Sequence, residues 1–517
     1  MTAPTSRGPM LADASGALYD VAVIGAGVVG AAIARELARY RLRVVLLEAG
    51  ADVGAGTSKA NTAILHTGFD AKPGTLEAHL VRRGQALLSA YGPAAGIPIE
   101  RLGALLVAWD AEQLAALAGI AENARTNGYT AVRPVAAEEI ARLEPQLGVG
   151  PLGALAIPDE AIVCPFTTPL AFATEAVMNG VALVLAAPVQ AVAPALPDTA
   201  RRVATPAADT SHRLAMPPID RVHRLTTPRG VFRARHVVNA AGLDADVVDR
   251  LFGHDTFTVV PRRGELIVFD KSARSLVRHI LLPVPTAQTK GVLVSPTVFG
   301  NVVLGPTADD VRDKRATDST AGGLRSLVEK GRRIMPALAQ EEVTAVYVGL
   351  RAATEHVDYQ IALYPAERYV CVGGIRSTGL TASMAIAEYV VEGLREAGLT
   401  LEDRDEFQPV RMPNIGESLP RPYQRPEMIA ANPDYGTIVC HCERVSRGEI
   451  LDAAAAVVPA RSVDGLRRRT RALLGRCQGF YCAPQVARLL AEASGQPIAS
   501  ILGLKADACA EAGGPSR

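Results

Sequence analysis

The sequence predicts an α/β protein: a Rossmann-like dinucleotide-binding domain in discontinuous pieces, an inserted antiparallel β-rich domain, and a small α-helical domain at the C-terminus. Three observations predict it. A strand, a glycine turn and a helix open the chain at residues 19–50. Strand-rich stretches fill the middle, and a second strand–glycine–helix unit follows at Tyr369 to Val390. Four of the seven cysteines then crowd between residues 440 and 482.

The first unit reads YDVAVIGAGVVGAAIARELARYRLRVVLLEAG. Val21 to Ile24 form a buried strand, and Gly25, Gly27 and Gly30 match G-x-G-x-x-G. A helix of small and apolar residues follows over Ala31 to Tyr40, and a second strand, Arg43 to Leu47, ends on Glu48. The glycines let the backbone approach a pyrophosphate at the positive helix N-terminus, and the acidic residue accepts from a ribose hydroxyl. A glycine motif alone is weak; strand, turn, helix, strand and acid in this order make a complete dinucleotide unit.

Length and composition bound the rest. At 517 residues the chain exceeds one ordinary core, so two or three domains are expected. With 49% hydrophobic and 21% charged residues it has a globular profile. A net charge of +1 supplies no strong field to recruit nucleic acid or acidic membrane. The start, MTAPTSRGPMLADASGALYD, lacks a basic stretch followed by an apolar core, so residues 1–18 read as a disordered tail rather than a signal peptide. Apolar runs such as VALVLAAPVQAVAPAL are short and broken by proline, which argues against a membrane span. A cytoplasmic location is the expectation. Thiols stay reduced there, and clustered cysteines bind metal more often than they form disulfides.

The stretch after Glu48, AGADVGAGTSKANTAILHTGFD, resembles the FAD-binding start of the D-amino-acid oxidase and glycerol-3-phosphate dehydrogenase superfamily. There the equivalents of Ser58 and Asn61 lie along the flavin and its phosphates. HVVNAAG, with Ala241 and Gly242, resembles the segment near the adenosine half, and Val189 matches a residue flanking adenine. In YVCVGGIRSTGLTASMAIAEYV, the resemblance puts Gly374, Gly379, Leu380 and Thr381 at a helix N-terminus facing the isoalloxazine, where the dipole favours negative charge on the reduced ring. Together with RGELIVFD, GVLVSPTVFGNVVLGPT and GLRAATEHVDY, these segments resemble the FAD-dependent glycerol-3-phosphate dehydrogenase family, in particular the A subunit of the anaerobic enzyme. L-2-hydroxyglutarate oxidases are among its relatives.

The resemblance implies an FAD-dependent oxidoreductase over residues 19–400. Its FAD-binding pieces would be about 19–75, 155–260 and 345–400, and its substrate-binding pieces about 76–154 and 261–344. It implies oxidation of a secondary alcohol by hydride transfer to flavin. His66 would act as the base, and Arg351 and Arg376 would hold the substrate anion, for which a guanidinium fork suits phosphate or carboxylate. An incidental histidine and surface ion pairs are the bland alternatives. Where relatives carry Asp before Pro, this chain has Cys164 in IVCPF; Cys164 and Cys371 read as buried structural thiols, and Cys509 as incidental. Residues 197–227 are polar and Pro-rich and read as a surface loop.

Residues 401–436, rich in proline and charge, read as a linker to a domain at 437–505, with 506–517 as a tail. Cys440 and Cys442 form C-x-C, and Cys477 and Cys482 form C-x4-C after thirty-four intervening residues. SRGEILDAAAAVV begins with a capping box at Ser446 and Glu449, and VDGLRRRTRALLG makes a second helix. Four thiolates can ligate zinc or a [2Fe–2S] cluster. The spacing and the run RRRTRALLGRCQGFYC resemble the bacterioferritin-associated ferredoxin type, which implies [2Fe–2S], with zinc as the rival and His441 as a neighbour rather than a ligand. The leading function is oxidation of sn-glycerol 3-phosphate, with electrons leaving through the cluster. A 2-hydroxyacid, amino-acid or opine dehydrogenase is the near alternative, and a non-catalytic flavin and iron–sulfur relay subunit is the alternative of another class. The resemblance further implies partner subunits that pass electrons to membrane quinone, and membrane association only through them.

Overall fold

In the computed structural model, residues 15–195, 222–285 and 291–503 are described. The strand Leu18–Ile24 is the centre of the first sheet. It pairs in parallel with Val44–Leu47 on one side and with Gly230–Asn239 on the other. Ala182–Val184 and Tyr369–Gly373 extend the parallel sheet outward. Such a sheet is covered on both faces, so its strands are apolar throughout; Val44–Leu47 is buried at every position. The helices Val28–Leu37, Thr167–Met178, Leu76–Ala95 and Gly379–Glu396 pack on one another and on this sheet.

The glycine turn is dictated sterically. A Cβ on Gly30 would lie 1.9 Å from the Gly25 carbonyl oxygen, and Gly25 itself has φ +99°. The helix after the turn begins at Val28 and ends at Leu37, one turn earlier than the Ala31 to Tyr40 pattern indicates. Residues 197–221 lie outside the described residues, as does Cys509. The end of the expected loop is instead a strand, Val222–Thr227, paired antiparallel with its neighbours on both sides. Its alternation buries His223, Leu225 and Thr227 while Arg224 and Thr226 are exposed, a period-two signal masked because a histidine and a threonine occupy the inward face.

The second sheet has nine strands. Val259–Phe269 and Val343–Thr354 form its long antiparallel ladder, with Val259 opposite Thr354 and Arg262 opposite Arg351. Ala104–Ala108, Gly153–Ile157, Ile280–Pro283, Leu293–Pro296 and Val302–Gly305 complete most of the remainder. The helix Ala321–Ile334 covers this sheet through Leu327. The helix Leu76–Ala95, by contrast, packs on Gly379–Glu396, close enough that a Cβ on Gly84 would lie 2.3 Å from the Thr381 carbonyl oxygen.

Residues 401–436 are a strap laid along the body. Val410 and Ile415 are buried in the main core, the Val410 N–H donates to Glu175 Oε1 at 3.0 Å, and the Met412 N–H donates to the Ala95 carbonyl. The C-terminal domain then forms a two-stranded hairpin, Ile438–Cys440 with Val445–Ser446, and three helices at Arg447–Ala455, Val463–Thr470 and Ala483–Ser494 around its own apolar core. The capping box is formed, with Ser446 N–H donating to Glu449 Oε2 at 2.9 Å and Glu449 N–H to Ser446 Oγ at 3.3 Å. The second helix stops at Arg471, whose φ of +73° turns the chain toward the second cysteine pair. Among the described residues no helix is long and apolar enough to cross a membrane.

Candidate active site and cysteine centre

A cavity of about 260 Å³ runs from the glycine turn to the inner face of the second sheet. Gly27, Ser58, Asn61, His66, Gly242, Gly379, Leu380, Arg351 and Arg376 all line it. At the turn, the Val28 N–H, one of the free donors of the helix N-terminus, donates to Ser58 Oγ at 2.9 Å. Ser58 therefore stands where a phosphate oxygen would compete for the same amides. Asn61 holds the next bend: its Nδ2 donates to the Ser58 carbonyl and its Oδ1 accepts from Ala63 N–H.

Other sequence candidates stand behind the cavity wall. Gly25 and Gly30 shape the turn. Both Glu48 oxygens accept backbone N–H groups, from Ala26 at 2.6 Å and from Gly50 at 2.7 Å. Burial pushes the Glu48 carboxyl up, and these two donors pull it back. Thr381 is buried, and its Oγ1 accepts from His66 N–H at 3.0 Å. Gly374 makes a left-handed turn against Gln360. Ala241 and Val189 pack against the second apolar cluster, Ala241 between two residues, Ala240 and Gly242, that line the main cavity. Cys164 and Cys371 are buried; the Cys164 sulfur bonds Thr167 Oγ1, and burial pushes both thiols up.

Farther along the cavity, His66 is paired with a carboxylate that the sequence did not single out. His66 Nδ1 lies 3.2 Å from Glu160 Oε2. Glu160 is fully buried, and its other oxygen accepts from Thr67 N–H at 2.7 Å and Thr67 Oγ1 at 2.9 Å. Its only sequence signal is an acid standing directly before the apolar strand of PDEAIVCPF. Opposite, Arg262, Arg351 and Arg376 converge on the cavity. Arg262 is paired with Asp310, and Arg376 donates to the Val357 carbonyl. Arg351 donates to the Thr307 carbonyl at 2.6 Å, and among the described residues no carboxylate pairs with it directly. Burial, helped by the neighbouring Arg262 and Arg376, pushes its guanidinium down to about 10. A half-buried cation with Arg376 beside it and no carboxylate directly on it is suited to an anion.

The residues present fit FAD: a glycine cradle at Gly25 and Gly30 that admits no Cβ, helix-end donors, the half-buried acid Glu48 at the end of the second strand, and a lined cavity running on to His66 and Arg351. The cysteines form a second centre. Cys440 and Cys482 are in hydrogen-bonding contact, as are Cys442 and Cys477, and each pair feels the charge of the other. Among the described residues no three His, Cys, Asp or Glu side chains gather around a single point. Two pairs of thiolates are the donor set of a two-iron centre. The backbone N–H groups of Tyr481, Gly479 and Phe480 donate toward the Cys477 sulfur and hold its thiol down, while burial, with Cys440 beside it, pushes Cys482 up to about 12. Gly475 is required by closeness, since a Cβ there would lie 2.4 Å from Cys442 Cβ. His441 is exposed and packs edge-on against Tyr481.

Comparison with known proteins agrees with this arrangement. The FAD dependent oxidoreductase family matches residues 20–393, and the BFD-like [2Fe-2S] binding domain matches residues 438–492. The chain is 34% identical over 487 residues to a glycerol 3-phosphate dehydrogenase of Caloramator mitchellensis, covering 94% of this chain and 96% of that one. It is 29% identical over 382 residues to a glycerol 3-phosphate oxidase of Mycoplasma pneumoniae, covering 72% and 93%. Among solved structures, the dithionite-reduced, FAD-bound L-α-glycerophosphate oxidase of Mycoplasma pneumoniae superposes with a TM-score of 0.68 at 26% identity, over 76% of this chain and 98% of that one. Matched by that family over residues 20–393 and by its relative over 94% of its length, the chain belongs to the FAD dependent oxidoreductase family, is glycerol-3-phosphate dehydrogenase-like, and carries a BFD-like [2Fe-2S]-binding domain toward its C-terminal end.

Proposed function

We propose that the protein oxidises sn-glycerol 3-phosphate to dihydroxyacetone phosphate and that the electrons leave through its cysteine centre. FAD, when bound, supplies the acceptor for a hydride from the carbinol carbon. His66 accepts the hydroxyl proton. Nδ1 faces Glu160, so the proton would go to Nε2, and the buried carboxylate stabilises the imidazolium that results. Arg351, with Arg262 and Arg376 beside it, binds the phosphate and fixes the carbinol relative to the base.

The observation that carries this reading is the half-buried Arg351, without a direct carboxylate partner among the described residues, facing the same cavity as His66. Arg351 and Arg376, neither with a carboxylate directly on it among the described residues, favour a dianionic phosphate over a monoanionic carboxylate, and Arg262 adds what charge Asp310 leaves. Cys440, Cys442, Cys477 and Cys482 would hold a [2Fe–2S] cluster, giving electrons an exit taken singly. A one-electron carrier, in partner subunits that deliver to membrane quinone, is the acceptor the resemblance favours.

The test is anaerobic mixing of the purified holoenzyme with glycerol 3-phosphate, L-2-hydroxyglutarate and proline in turn. Bleaching of the flavin band by glycerol 3-phosphate alone supports the proposal. Bleaching only by a carboxylate substrate would move the assignment to a 2-hydroxyacid or amino-acid dehydrogenase, and bleaching only by a reduced partner flavoprotein would make the chain a relay.

A further inference from the structure

We propose that Asp52 is a positioning residue that clamps the four-cysteine domain in one fixed orientation on the flavin-binding body, so that electrons leave through a rigid contact rather than through a domain swinging on residues 401–436. Asp52 lies four residues beyond Glu48, in the loop that returns to the glycine turn through the Gly54 N–H to Ala26 carbonyl bond. It is 5% exposed. Its Oδ2 accepts from Arg468 Nη2 at 2.6 Å and from Arg469 Nη1 at 2.7 Å, and its Oδ1 accepts from Arg469 Nη2 at 2.8 Å. Two consecutive arginines of the cysteine domain, both buried, thus close on one carboxylate of the body.

The approach is built into the backbone of both partners. A Cβ on Gly465 would lie 2.8 Å from Asp52 Oδ2, so glycine there lets the helix Val463–Thr470 meet the carboxylate in this position, and a larger residue would push the carboxylate aside. A second contact repeats the design on the same seam. The Arg471 guanidinium lies 4.1 Å over the Phe299 ring, its Nη2 donates to Asn301 Oδ1 at 3.2 Å, and its Nε reaches Glu443, the residue after Cys442, at 3.3 Å. Interfaces that slide or detach are wet and rim-like, whereas a buried charged pair tolerates only one geometry, because displacing either partner leaves a charge uncompensated. The strap adds to this, since Arg421 is 2% exposed and bonds Glu449 and the Thr470 carbonyl from the side.

The inference rests on the reading that electrons pass from flavin to the cysteine centre. Two electrons arrive together as a hydride and must depart one at a time, in the assay to the one-electron oxidant ferricyanide. Because the rate of such a transfer falls steeply with separation, a clamp that fixes separation governs that step and leaves hydride transfer alone. The test uses the full-length holoenzyme and the variant Asp52→Asn, with Arg468→Met as an independent break on the other side of the seam. Hydrogen exchange over Val463–Thr470, read without substrate, is expected to rise about tenfold or more in either variant. After rapid anaerobic mixing with glycerol 3-phosphate, flavin bleaching should stay within about twofold while cluster reduction slows about tenfold or more, since the broken pair acts on docking rather than on the reacting atoms. Unchanged exchange and unchanged cluster reduction in both variants overturn the clamp. Failure of glycerol 3-phosphate to bleach even the parent flavin overturns the functional reading instead, and exchange still decides the clamp.

Discussion

In the proposed function, Arg351 carries both recognition and a pH signature. Its guanidinium is charged below about 10 and loses its proton above it, in the free enzyme, because burial opposes the cation. The phosphate needs the protonated form. KM for glycerol 3-phosphate should therefore be flat through neutral pH and rise once the pH passes about 10, where an exposed arginine would show no change. Replacing it, Arg351→Met, removes a charge-assisted contact; kcat/KM should fall about 10- to 100-fold, chiefly through KM, in steady-state assays. Glu160 acts one step removed from the substrate. Glu160→Gln keeps the shape and the Thr67 contacts but removes the charge facing His66 Nδ1. The expected outcome is a kcat lower by about 10- to 100-fold, with the acid limb of the pH–rate profile moved to lower pH, because the imidazolium has lost its counter-charge. A merely structural glutamate would leave that limb in place.

At the scale of elements, Glu175 joins three of them. On the helix Thr167–Met178 it bonds Arg35 of the first helix and Tyr91 OH, and it receives the Val410 N–H of the strap. Glu175→Ala would leave the buried Arg35 cation only its 3.4 Å contact with Glu36 as a carboxylate partner and should cost about 3 kcal/mol in denaturant unfolding. This scale also shows what was legible beforehand. The first strand–turn–helix could be read because strand, three glycines and Glu48 constrain one another over thirty residues. The capping box at Ser446 was legible for the same reason, as two residues that define a single local geometry. The strap over 401–436 was not: its prolines and charges have no period, and its order comes from distant carbonyls and carboxylates that meet it only in the folded chain. Glu160 was hidden likewise, since its meaning lies in a histidine ninety-four positions away. His66, Arg351 and Arg376 came from motif resemblance; the fold brings them to one cavity, and Arg262 joins them through strand register alone.

For the whole molecule, stability and electron flow each have a signature. His236 lies in the central sheet, and burial pushes its ring down to about 4, below the unfolded value near 6.5. Between those values the unfolded chain binds a proton that the folded one refuses, so stability is full above about 6.5 and declines as the pH falls toward 4. Thermal melting across that range should show the decline, and His236→Gln should flatten it. The central claim is that one chain takes a hydride from glycerol 3-phosphate at one centre and releases electrons singly at another. The most direct measurement is rapid-freeze electron paramagnetic resonance of the full-length protein after anaerobic addition of one equivalent of glycerol 3-phosphate. A rhombic reduced [2Fe–2S] signal appearing with flavin bleaching is the predicted result; a bleached flavin with no such signal, in protein whose four cysteines hold zinc, would contradict it.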